Sequence, residues 1–217
     1  MKPVSEALDV EYGICDATDV EEMTYLLAEV FSRYDPPAVA VGLSFEEIVR
    51  LVRLFGPRAA SDGLSIIARA RPSGDLIGAL LVDDFASPPP AGIHEACEHF
   101  DPIGALLDEL DEQYRKTRTV VPGEILHLFM VGVGSQHGGK GIAQTLVRLC
   151  IENGERRGYR EAVTEATGSV SQRIFRKLGF ADRFSTSYKE FSYCGRHVFQ
   201  SIEGHDGVIL LEKHLGP

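Results

Sequence analysis

Apolar residues recur along this chain at two periods, and the changes from one period to the other mark out its elements. Val10 to Cys15 reads as a first strand, and Thr18-Asp19-Val20-Glu21 has the spacing of a helix capping box. Met23, Leu26, Leu27, Val30, Phe31 and Tyr34 then follow at helical spacing, and Pro36-Pro37 ends that helix. A second box, Ser44-Phe45-Glu46-Glu47, opens a helix carrying Ile48, Leu51, Val52 and Phe55, with Gly56-Pro57 as its expected stop. Residues 64–70 and 76–83 read as strands, and the Pro, Ser, Gly and Asp between them are turn residues, which predicts a β-hairpin.

The proline cluster Ser87-Pro88-Pro89-Pro90-Ala91-Gly92 breaks regular structure, after which Asp101-Pro102 opens a helix with Ile103, Leu106, Leu107, Leu110 and Tyr114 on one face. Residues 87–118 therefore read as a helical insertion between strands. Residues 125–133 form an apolar strand, followed by a glycine-rich turn and a long helix with Ile142, Leu146, Leu149 and Cys150 facing inward. A strand at 162–166, a short helix at 169–178 stopped by Gly179, and strands at 180–191 and 208–212 complete the pattern. This order predicts a mixed α/β sheet covered by helices, and a length of 217 residues suits one domain spanning 1–217.

Composition narrows the class. Apolar residues make up 44% and charged residues 25%, an ordinary globular balance, and no apolar run approaches the roughly 18 residues that would suggest a membrane span. Met1 to Val10 lacks a basic segment followed by an apolar one, so the expected compartment is the cytoplasm. Cys15, Cys97, Cys150 and Cys194 are too far apart for metal-site spacing and too few for a disulfide scaffold, so they read as reduced thiols. A net charge of −10 argues against nucleic acid as a partner and is compatible with a cationic one.

The informative unit is strand, glycine turn, helix. In Gln136-His137-Gly138-Gly139-Lys140-Gly141-Ile142-Ala143 the glycines let the backbone turn tightly and approach a ligand closely. Unpaired N–H groups at the following helix N-terminus, with the helix dipole and Lys140, would form a pyrophosphate cradle. The bland reading is a tight strand-to-helix connection without a ligand. The spacing fits neither a P-loop nor a G-x-G-x-x-G dinucleotide fingerprint, which excludes the commonest nucleotide-binding enzymes.

Gln136-x-x-Gly139-x-Gly141, preceded by its strand, resembles the pyrophosphate motif of the GNAT acetyltransferase superfamily. Ser171-Gln172-Arg173-Ile174-Phe175-Arg176-Lys177-Leu178-Gly179-Phe180 resembles that superfamily's second signature. The resemblance implies a mostly antiparallel central sheet, acetyl-CoA as cofactor and no metal. It also implies that Gln136 to Ala143 surround the pyrophosphate while the backbone of Met130, Val131, Gly132 and Val133 pairs with the pantetheine arm. Asp35-Pro36-Pro37 is similar to the Glu-Pro-Leu of insect-type arylalkylamine N-acetyltransferases, which acetylate dopamine, serotonin and similar amines. Ala96-Cys97-Glu98-His99 with its following helix, and His205-Asp206-Gly207-Val208, are similar to that group's insertion and final strand.

Direct acetyl transfer to an amine needs a proton acceptor, polarisation of the thioester carbonyl and an acid for the departing thiolate. The tyrosine that many superfamily members use as this acid is replaced here by Phe175. The insect-type resemblance implies Asp35 as proton acceptor, with Thr167 and Ser171 assisting at the thioester. The competing readings are local: Asp35 as a turn or cap residue, Ser169 as a helix N-cap, Thr167 and Ser171 satisfying nearby backbone groups. His127 and Glu124 are secondary candidates for a proton relay, and Tyr188 and Tyr193 for the acceptor pocket. The expected partner is a small-molecule primary amine, and the expected assembly a monomer or homodimer. An acyl-CoA-sensing module without catalysis, and transfer to a protein or peptide amine, remain the alternatives.

Overall fold

The computed structural model describes residues 9–216, so most of the stretch read for a targeting signal lies outside the described residues. Among the described residues no helix is long and apolar enough to cross a membrane. Seven strands form one sheet in the order β1-β2-β3-β4-β5-β7-β6. They are β1 (Val10–Ile14), β2 (Ile66–Ala70), β3 (Leu76–Asp84), β4 (Ile125–Val133), β5 (Glu161–Ala166), β6 (Ala181–Ser187) and β7 (Gly207–His214). Among the described residues only β4 and β5 run parallel, so the sheet is the mixed, mostly antiparallel one expected.

Strand alternation sends side chains to both faces, and each face has its own helices. Ile67, Ala79 and Leu81 join a core with α1 (Val20–Tyr34), α3 (Phe45–Asp62) and α5 (Asp101–Lys116). Ala68, Ile77 and Val82 face the opposite core, built with α6 (Ile142–Arg156) and α7 (Ser169–Lys177). The short helices α2 (Pro36–Val41) and α4 (Ile93–Ala96) complete the set, and α4 and α5 lie between β3 and β4.

Several boundaries differ from the sequence pattern. Pro36-Pro37 starts a helix, α2, immediately after α1 ends, because proline suits the first helical turn and Asp35 caps it. Gly56-Pro57 does not stop α3. A Cβ at residue 56 would lie 2.6 Å from Val20 Cγ1, so that glycine serves the close approach of α1 and α3. Pro57 lies on the exposed side with Arg53, where water can satisfy the carbonyl left without a donor, and the helix runs on to a left-handed Gly63. The Ser44–Glu47 capping box forms in full, whereas α1 is capped by no side chain: Asp16, outside the helix, accepts from the Thr18 backbone and hydroxyl instead. β6 ends at Ser187, well short of residue 191, because Tyr188 and Phe191 turn into the core.

One irregularity positions the site. Between β3 and β4 the pairing steps from Leu81↔Met130 to Val82↔Leu128, leaving Phe129 as an extra residue on β4. Such a bulge bends its strand and increases the local twist. Beyond it β4 stays on β3 but leaves β5, to which only Ile125, Leu126 and His127 are paired.

Candidate active site

The divergence of β4 from β5 leaves backbone N–H and C=O groups on one edge of β4 without a strand partner, between two strands that are otherwise central to the sheet. Thr164 Oγ1 donates to Leu128 O at 2.9 Å and marks where the gap opens. An extended chain with amide groups can add to such an edge.

At the end of β4 the chain makes a single 3-10 turn, Ser135–His137, and reaches α6 through Gly138 to Gly141. Gly139 and Gly141 have φ of 73° and 80°, a region in which an L side chain costs about 1–2 kcal/mol, so this path favours glycine. Gly141 is the N-terminal cap residue of α6, and no side chain caps that helix end. The N–H groups of the first turn therefore point out of the helix with no internal acceptor, aligned with the positive end of its dipole. The cradle fits a diphosphate, and the open edge of β4 leads away from it.

The two features open into one cavity of about 820 Å³. Of the residues expected around the cofactor, Met130, Val131, Val133, His137, Gly138, Gly139, Gly141, Ile142 and Ala143 line it. Gly132, Gln136 and Lys140 do not: a Cβ on Gly132 would point at Leu27 and Val30 of α1, and Gln136 and Lys140 are exposed. The candidate acceptor end carries Phe31, Leu43, Phe100, Ile103, Leu107 and Phe129, an apolar lining to which α5 and the turn before it contribute.

Asp35, Thr167 and Ser171 meet at this cavity. Asp35 sits between α1 and α2, and its Oδ2 accepts from Ala38 N–H at 3.0 Å, so it is a helix cap. Its Oδ1 accepts from Thr167 Oγ1 at 2.5 Å. Burial pushes the Asp35 carboxyl above the usual carboxylate range, and the bonds from Thr167 and Ala38 with the nearby His205 offset that only in part. A raised carboxyl is a stronger base once ionised. Ser171 Oγ donates to Gly168 O at 2.8 Å and accepts from Gly168 N at 3.3 Å, so it supports the first turn of α7. Gly168 is the cap residue of that helix, and the Ser169 N–H is taken by His205 Nδ1 at 3.0 Å.

A second polar group reaches the cavity through Glu165. His127 lies between Glu165 (Nε2 to Oε2, 2.8 Å) and Asp83 (Nδ1 to Oδ1, 3.0 Å), and Asp83 also meets Arg58 at 3.4 Å. Burial opposes its charge, yet Glu165 and Asp83 outweigh burial and hold the imidazole well above its ordinary pKa. Burial likewise opposes ionisation of Glu165, which His127 overcomes, whereas Asp111 beside it is pushed up to about 9 by burial and the Glu165 charge. Asp111 Oδ1 and Glu165 Oε1 are both buried without another partner, which one proton held between them would satisfy.

Other expectations find different places. Phe175 is buried against Phe180, ring edge to face. Tyr188 is fully buried, donates to Thr167 O at 2.6 Å and packs on Phe199, so it supports Thr167 from behind. Neither Tyr188, Tyr193 nor Glu124 lines the cavity. Glu165, His205 and the partners of His127 escaped the sequence pattern, since each depends on a contact far along the chain; the adjacent polar Thr164 and Glu165 within the buried part of β5 were the available signal.

Three solved structures share this architecture over nearly the whole chain. The C-terminal condensation domain of Ebony, in complex with beta-alanyl-dopamine, is 14% identical with a TM-score of 0.85, covering 96% of this chain and 100% of that one. Arylalkylamine N-acetyltransferase 2 from Aedes aegypti is 22% identical with a TM-score of 0.81, at the same coverage. The polyamine N-acetyltransferase of Drosophila melanogaster is 18% identical with a TM-score of 0.73, covering 95% and 100%. At these identities the likeness establishes the fold. The model of the acetyltransferase (GNAT) family matches residues 60–180, more than half of the chain and the whole span from β2 through α7. The chain therefore belongs to the GNAT acetyltransferase family, whose cofactor is acetyl-CoA.

Proposed function

We propose that this protein moves an acetyl group from acetyl-CoA to the primary amine of a small molecule by direct transfer, with Asp35 as the proton acceptor. The observation that carries the reading is a single cavity that runs from the amide cradle and the open β4 edge to the buried Asp35–Thr167 pair. Bound acetyl-CoA supplies a thioester whose carbonyl carbon takes the amine nitrogen as its bond to sulfur breaks. Asp35 takes the proton of the incoming ammonium, since burial raises the affinity of its carboxylate for a proton. Thr167 holds Asp35 in position, and the second proton, which the nitrogen sheds on becoming an amide, passes to the departing sulfur through the Ser171 hydroxyl at the cavity wall, which turns from Gly168 O to relay it. Met130, Val131 and Val133 hold the pantetheine arm by backbone bonds, and Gly138 to Ala143 hold the diphosphate.

The apolar lining from Phe31, Phe100, Ile103, Leu107 and Phe129 suits an amine with an aromatic or alkyl body, and the two carboxylates that line the same cavity, Asp35 and Glu165, are engaged by Thr167 and His127. The comparisons point the same way in part: the Aedes enzyme acts on arylalkylamines, while the Drosophila one acts on polyamines. α5 helps to cover the acceptor end, which favours a small molecule over a peptide. The test is thiol release from acetyl-CoA across arylalkylamines, polyamines, amino acids and short peptides, with melting temperature recorded in parallel. Release is expected to depend on an amine with an apolar body. Thermal stabilisation by acetyl-CoA without release on any amine would overturn transfer and leave a sensing role.

A further inference from the structure

Helix α7 forms one wall of the cavity and, besides Ser171 and Phe175, presents Val170, Arg173, Ile174 and Lys177 to it. These are positions i, i+3, i+4 and i+7 of a single helix face. Gly138, Gly139 and the first turn of α6 line the same cavity. The remaining basic residue of the helix, Arg176, is held by Asp182 through bonds of 2.9 and 2.6 Å. Arg173 and Lys177 are exposed and meet no carboxylate within ion-pair distance among the described residues. In a chain of net charge −10, acidic partners are abundant, so two unpaired cations on one wall of a cavity are not a consequence of composition. The helix dipole favours cations in the last turn, which accounts for Lys177 and Arg176 but not for Arg173 in mid-helix or for the shared face.

We propose that Arg173 and Lys177 bind the 3′-phosphate of coenzyme A, and that through them the enzyme selects full CoA thioesters over donors carrying only a pantetheine arm. The inference rests on the family's use of acetyl-CoA. The amide cradle already serves the diphosphate, which leaves the phosphomonoester, with a charge of about −1.5 to −2 near neutrality, as the group that requires cations. The direction of α7 agrees. Its first turn, with Ser171, stands beside Gly168 and the Asp35–Thr167 pair, and Lys177 lies about 9 Å further along the helix axis, away from the reacting end.

The test is calorimetric titration of wild type and the R173Q/K177Q variant with CoA and with dephospho-CoA, which lacks only the 3′-phosphate. An exposed charge pair changes binding by about threefold, so the double variant is expected to bind CoA about tenfold more weakly and dephospho-CoA unchanged. Wild type is expected to prefer CoA by the same factor, with the preference shrinking as salt rises. Unchanged CoA affinity, or an equal loss for both ligands, would overturn the assignment. Thermal unfolding without ligand checks the fold of the double variant, and the single variant K177Q, expected at about threefold, carries the test if the double variant is unstable. Wild type binding neither ligand would remove the cofactor reading itself, a distinguishable failure.

Discussion

Replacing Asp35 by asparagine removes one charge and keeps the shape of the side chain. Asparagine caps a helix about as well as aspartate, so the bond to Ala38 N–H survives and α2 keeps its start. The Thr167 hydroxyl can rotate to accept from the new amide, so neither partner is left unsatisfied. What is lost is the proposed proton acceptor, and a positioned general base contributes about 10²–10⁴ in rate, or about 3–5 kcal/mol in the barrier. The Asp35 carboxyl is raised in the folded protein, so ionising it lowers stability as pH rises through the carboxylate range. The D35N variant escapes that cost, and its melting temperature at neutral pH is expected to equal or exceed that of wild type. Wild-type kcat/KM is expected to rise with pH along a limb displaced above the ordinary carboxylate range, and this limb is expected to vanish in D35N. CoA affinity by titration is expected to stay within about twofold, since the cradle and the β4 edge are untouched. Asp35→Ala separates the two roles, since it also loses the cap and about 1 kcal/mol of stability. If D35N turns over at the wild-type rate at neutral pH with the limb intact, Asp35 is a cap and nothing more.

Two further outcomes follow from the same geometry. Thr167→Val removes the hydroxyl bonded to Asp35, a hydrogen bond to a charged group worth about 1.5–3 kcal/mol, so the acid limb of kcat/KM is expected to move to higher pH while CoA affinity is retained; an unmoved limb would detach Thr167 from Asp35 in solution. His127→Gln leaves Glu165 buried without its counter-ion and is expected to lower stability by about 3–5 kcal/mol in denaturant titration. The pH dependence has a definite sign. The folded pKa of His127 is raised, so its contribution is complete below the unfolded value of about 6.5 and is lost as pH rises through the folded one. The stability gap between wild type and H127Q is therefore expected to narrow with rising pH, and a constant gap would mean that His127 is neutral.

What the amino-acid sequence determined by itself is local. The periods of apolar residues located β1 to β5, α1, α5 and α6 to within a few residues, because each element's buried face is written in its own spacing. The glycine turn before α6 was legible for the same reason: positive φ at Gly139 and Gly141 is a property of those residues alone. Asp35, Thr167 and Ser171 were reached through resemblance, and their local alternatives proved compatible with the site, since Asp35 caps α2 with one oxygen and meets Thr167 with the other.

Tertiary structure decided the rest. The Asp35–Thr167 contact joins residues 132 apart, and the His127 pairs join residues 44 and 38 apart, separations at which side-chain pattern carries no register. The bulge at Phe129 depends on how β4 sits on β3, and the opening between β4 and β5 follows from that bend. Gly56 reads as a helix stop in the sequence and is instead a contact point for Val20, which only the packing of α1 on α3 makes visible. Local propensity specifies the elements. Strand register and helix packing, which are relations between distant segments, bring Asp35, the glycine turn and the open edge into one cavity.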